Sequence, residues 1–214
     1  MIHDITDLLS PQMAAYMREK FSSPEIPWFY LPFTANPQDL GSLPQYAGSF
    51  SHLVYKNDEA ASPLAEAAIQ ILITACDRTG QDLQEVIRIR LGFSTRTPRQ
   101  IQHSPHRDQQ YPHRAGIWYP ITSSGDTVIF AETAPSRRYT EVYRRSPVAN
   151  SWIDFPGEHM HASTTPDQHE QGSFSTTTTR SEVIPRRLDK NLRCAPQKKI
   201  LRCADRLTTP VLNT

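Results

Sequence analysis

Cysteine is scarce in this sequence: there are three among 214 residues, Cys76, Cys194 and Cys203. Three cannot make a disulfide framework, and the last two stand too far apart for a CxxC zinc knuckle. The chain suits a reducing compartment, and a cytoplasmic location is expected. Apolar residues make up only 37%, low for a fully globular chain. No apolar stretch is long enough to span a membrane, so no membrane partner is expected. The start, MIHDITDLLS, lacks the basic and then apolar layout of a signal peptide. Net charge is close to absent at +1, but its distribution is uneven. Residues 172–214 hold nine Lys/Arg and three Asp/Glu, leaving 14 and 19 to the first 171. Only that tail could attract a polyanion, and it lacks the interleaved aromatics of a base-stacking platform.

Enough is present for one domain with a sizeable core. Residues 1–20 read as weakly helical, with Leu8, Leu9, Met13 and Met17 near helical spacing. IPWFYLPF (26–33) is aromatic and proline-broken, an extended segment packed on a core. SFSHLVY (49–55) has strand composition. Ser62-Pro63 starts a helix, serine as cap and proline in the first turn, and Gly80 can end it. From residue 86 the period changes. VIRIRLGF (86–93) alternates apolar and basic residues, as a half-buried strand does. GIWYPI (116–121), TVIFAE (127–132), RRYTEVYRR (137–145) and NSWIDFPG (150–157) read as further strands. A helical first part before a run of short strands indicates an α+β, mainly β protein whose strands close into a barrel or sandwich.

HSPHRDQQ contains His106-Arg107-Asp108. In an extended chain residues two apart share a face. One imidazole and one carboxylate can thus grip a metal from a single strand end. His161 follows far downstream in FPGEHMHASTTP. Two histidines and a carboxylate make the facial triad of non-haem iron(II) oxygenases, which leaves the ion's other positions open. HxD alone is a common string, and eight histidines give it many chances. His159, two residues before His161, could share its face. His103 reads as a loop residue beside the site, His113 and His169 as surface residues, and His52 as facing the core. Arg107 should point away from a metal. Arg88 and Arg90 share a strand face that reads as solvated, the alternative being that they hold acidic groups near the site. Trp118, Tyr119 and Tyr111 read as packing residues, with the lining of a pocket as the alternative. HRD also opens the protein-kinase catalytic loop, but the glycine-rich loop, the strand lysine and DFG are missing.

Several blocks, in order, resemble the 2-oxoglutarate- and iron(II)-dependent oxygenases of the prolyl-hydroxylase-like type, especially small phage and bacterial forms. They are IPWFY, SFSHLVY, VIRIRLGF, HRD, GIWYPITSSGDTVIFAE, RRSPVANSWIDFPG and HASTTP, spanning residues 26–171. The resemblance implies a double-stranded β-helix (jelly roll, cupin-like) with N-terminal helices packed on it. It implies His106, Asp108 and His161 as iron(II) ligands, no catalytic side chain beyond them, and 2-oxoglutarate, O2 and ascorbate as small-molecule companions. The implied reaction decarboxylates 2-oxoglutarate to succinate and hydroxylates a protein side chain, nucleobase or metabolite.

The sequence departs from that family at one place. An arginine about ten residues beyond the distal histidine should anchor the far carboxylate of 2-oxoglutarate. Here Gly172-Ser-Phe-Ser-Thr-Thr-Thr-Thr carries none, and Arg180, a weak substitute, lies late. The expected domain is therefore residues 1–171, with 172–214 an atypical basic tail, either a disordered linker or the product of a slipped coding frame near Gln171. Read one frame over, the same stretch can encode R-F-V-L-N-Y-N-Y, the family's missing strand with its arginine. As written, the barrel is expected to lack its last core strand and to bind iron weakly. The competing function is a catalytically impaired jelly-roll binding module without its cosubstrate anchor.

Overall fold

The computed structural model describes residues 1–35, 48–167 and, as backbone, 173–181. The first strand, β1 (His3–Ile5), pairs antiparallel with a strand more than 140 residues later. This corrects the helical reading of the N-terminus: the helix α1 (Pro11–Phe21) begins only after Ser10, whose hydroxyl accepts from the Met13 amide at 3.4 Å. Proline at the first helical position fits, because its missing N–H would have no helical partner there. Next come β2 (Phe29–Leu31), β3 (Ser49–Lys56) and the short β4 (Glu59–Ala60). The second helix, α2 (Ala65–Thr79), starts a few residues after Ser62. Ser62 instead makes a turn, its hydroxyl shared between the Leu64 amide and the His52 ring. Gly80 ends α2 at φ 65°, the left-handed conformation that favours glycine.

Seven strands complete the chain: β5 (Val86–Ser94), β6 (His113–Tyr119), β7 (Thr127–Phe130), β8 (Glu141–Arg145), β9 (Ser151–Pro156), β10 (His161–Ser163) and β11 (Ser173–Ser181). They form a large sheet ordered β1-β9-β6-β11-β5-β3-β2, with β4 on β3, and a small one ordered β10-β7-β8. Bridges from Gln102 to Thr164 and from His106 to His161 extend the small sheet by the segment before the HxD. The architecture is the mainly-β, jelly-roll type expected, with two helices.

The strand β11 is not expected from the sequence as written. The sheet runs past residue 171, and the threonine run pairs on both sides: Thr177 faces Arg90 of β5 and Ile117 of β6. Threonine is β-branched and fits a pleated strand, so the polar composition that suggested a linker does not prevent pairing. The barrel thus has its last strand as written. Residues 182–214 lie outside the described residues.

Alternation along the strands divides the interior. Trp118 and Trp152 face the helices with Val54, Ile89 and Leu91, and α2 covers them with Ala68, Ile71, Leu72 and Ala75. Phe21 of α1 meets Trp118 edge-on at 5.8 Å. The opposite face of β6 and β9 supplies Ile117, Tyr119, Ile153 and Phe155, which pack with Ile129 between the two sheets. Asp154, fully buried, ties the N-terminus to β9: Arg114, His3, Gln81 and the Trp152 indole all donate to its carboxylate. Among the described residues no helix is long and apolar enough to cross a membrane.

Candidate metal centre

The HxD segment and β10 run antiparallel, and His106 and His161 exchange both backbone hydrogen bonds at 2.9 Å. Directly opposed residues of such a pair project to the same side. Their imidazoles therefore meet, with ring centroids 4.5 Å apart. Asp108 returns to that face two residues on, with its Oδ2 3.5 Å from His161 Nε2. One potential ligand atom from each of His106, Asp108 and His161 lies within 4.8 Å of the others.

The surroundings prepare these atoms for a cation. His161 Nδ1 donates to the His159 carbonyl at 3.2 Å, which leaves Nε2 as the lone-pair nitrogen. The ring packs edge-on against Phe155 at 5.1 Å. Arg88 Nη2 donates to Asp108 Oδ1 at 2.7 Å, turning the other oxygen towards the histidines. Burial first, and then the charge of His161, push His106 down to about 3, so its imidazole is neutral at ordinary pH. Burial works against the charged form of Asp108. The neighbouring His161 and the Arg90 guanidinium outweigh it and hold the carboxyl well below the usual range. His106 Nδ1 and Asp108 Oδ2 are buried without a hydrogen-bond partner. Buried polar atoms seldom go unsatisfied, and a divalent cation satisfies both.

The remaining sequence candidates separate cleanly. His159 is drawn off, donating from Nδ1 to the Phe130 carbonyl at 2.7 Å. His103 is buried between Ser163 and Thr34, beside the site but outside the triad. His52 is buried as expected, between the Pro27 carbonyl and Ser62. His113 is corrected from a surface residue to one only 1% exposed, its ring pressed against Gly157. A Cβ at Gly157 would fall on that ring, which explains glycine in the turn after β9. Arg107 points away and donates to Gln110. Trp118 is a packing residue and Tyr111 is half exposed. His169 and the positions around Gln171, where the cosubstrate arginine was sought, lie outside the described residues. The register sets Arg180 opposite Val86, three positions beyond the Arg90 pair and about 10 Å further along the strand.

Arg88 and Arg90 take the less favoured of the two roles that the sequence allows them, holding an acidic group near the site. Their shared face of β5 is not solvated. It turns into the barrel, where Arg88 takes Asp108 and Arg90 lines a pocket of about 90 Å³ together with His106, Asp108, Tyr119 and His161. The period-two spacing of VIRIRLGF already put both arginines on one face. What it lacked was the closure that makes one face of a strand an interior.

No family model and no curated protein sequence matches this chain. Solved structures do. A Pseudomonas putida prolyl-4-hydroxylase superposes with a TM-score of 0.52 at 10% identity, over 85% of this chain and 92% of that one. A Burkholderia pseudomallei oxidoreductase of the 2OG-Fe(II) oxygenase family reaches 0.56 at 11% identity, over 84% and 85%. The fold is that of the 2-oxoglutarate/iron(II) oxygenases. The epimerase SnoN from nogalamycin biosynthesis, in complex with Fe3+ and alpha ketoglutarate, also reaches 0.56, at 9% identity over 85% and 78%. Against that fold, β11 occupies a central position of the large sheet, between β5 and β6.

Proposed function

We propose that this chain is a 2-oxoglutarate- and iron(II)-dependent dioxygenase, with His106, Asp108 and His161 as the metal ligands. The observation that carries the reading is the convergence of two imidazoles and a carboxylate, two of them with a buried atom that lacks a hydrogen-bond partner. Such a donor set suits iron(II) and leaves coordination positions free on the pocket side. Iron bound there would supply the coupling between decarboxylation of 2-oxoglutarate to succinate and hydroxylation of a C–H bond. SnoN holds iron and alpha ketoglutarate together on the same fold, which supports extending both to this chain.

The chain's own residues do the positioning. His159 fixes the tautomer of His161, and Arg88 fixes the orientation of Asp108. Ile117, Ile129, Ile153 and Phe155 pack into the interior between the sheets and limit access of water. An anaerobic titration tests the reading. Adding iron(II) and then 2-oxoglutarate should raise a visible charge-transfer band that saturates near one equivalent and is lost in His161→Ala. A folded wild-type protein that gives no band would contradict the proposal and favour the impaired binding module.

A further inference from the structure

Arg88 and Arg90 lie on the same face of β5 and fare differently. Arg88 is spent on Asp108 at 2.7 Å. Arg90 lines the pocket beside the triad, yet its guanidinium makes no hydrogen bond among the described residues. Its half-buried guanidinium offers five N–H donors to whatever occupies that pocket. Burial lowers its pKa, and the charge of Asp108 offsets this only in part. Asp108 attracts it through space but gives it no hydrogen bond, because one oxygen takes Arg88 and the other faces the histidines. Its planar fork is left open to an anion that enters the pocket.

Charge and size describe that anion. Arg88 and Arg90 outnumber the single carboxylate of Asp108 beside the pocket, and a divalent cation adds to the positive charge. A ligand with two negative charges suits it better than one with a single charge. A cavity of about 90 Å³ is small. One water needs roughly 10–15 Å³ by the same measure, so a small organic acid fits and a polymer does not. A planar guanidinium pairs with a carboxylate through two parallel hydrogen bonds.

We propose that Arg90 is the carboxylate anchor of this pocket, binding the second carboxylate of 2-oxoglutarate from β5 in place of the arginine absent beyond His161. The inference rests on the iron-site reading above, and the experiment separates the two. Cobalt(II) would replace iron, with its visible spectrum reporting metal binding, and calorimetry on the cobalt-loaded protein would measure affinity for 2-oxoglutarate and for 2-oxopentanoate, which lacks the second carboxylate. In the wild type, 2-oxoglutarate should bind at least 30-fold more tightly than 2-oxopentanoate. Arg90→Met should abolish that preference while the cobalt spectrum stays unchanged, and Arg90→Lys, which keeps the charge and loses the fork, should keep part of it. A wild type that binds no cobalt overturns the iron-site reading itself. A wild type that binds cobalt without preferring the diacid, or an Arg90→Lys or Arg90→Met protein with the full preference, overturns the role of Arg90 alone.

Discussion

A strand face carrying arginines every second residue usually means water, and on β5 it means the inside of a barrel. Arg88 is the clearest case. It donates to Asp108 Oδ1 from a half-buried position and so sets which oxygen the histidines see. Groups that orient a metal ligand typically change metal affinity 10- to 100-fold when removed. Arg88→Ala should therefore weaken cobalt(II) binding by about that factor without shifting the unfolding midpoint far, and Arg88→Lys should recover part of the loss. Unchanged affinity in Arg88→Ala would mean that the ion pair does not orient the carboxylate. At this scale the HxD and the downstream histidine were legible, because spacing along an extended chain states which side chains share a face. The burial of His113 was not legible, because it depends on a glycine 44 positions later that leaves room for its ring. Nor was the diversion of His159 to the Phe130 carbonyl, which requires β7 in place beside it.

Elements were read best where burial on one face imposes a period. The core face of α2 recurs at Ala65, Ala68, Ile71, Leu72, Ala75 and Cys76, the spacing of an amphipathic helix. The strands β3, β5 and β9 lie close to where alternation put them. Two elements escaped for opposite reasons. β1 is three residues long and is held by pairing with β9 and by Arg114, His3 and Asp154, contacts that only the folded chain brings together. β11 lacks apolar alternation and resembles a linker, yet it is flanked on both sides and shares registers with β5 and β6. Its place can be tested directly. Thr177→Pro removes an N–H from a central strand and should lower the urea midpoint. A urea midpoint unchanged by Thr177→Pro would show that residues 173–181 are not part of the sheet.

For the whole molecule, the order of motif blocks carried more than any single block. A helical start, a run of strands and a histidine pair separated by 55 residues resolve into two sheets whose edges bring His106 and His161 into one ladder. The boundary drawn at residue 171 failed because a missing arginine was read as a missing strand. The strand is present without that arginine, and a basic residue for the pocket comes from β5 instead. No slip of the coding frame is needed to complete the sheet through Ser181. One iron(II) is proposed to sit where His106, Asp108 and His161 converge. Anomalous diffraction at the iron edge, from crystals loaded with iron(II) without oxygen, tests it most directly. The account predicts a single strong peak within bonding distance of all three side chains, lost in Asp108→Ala. No peak there, or a peak centred on His103 or His159, would contradict it.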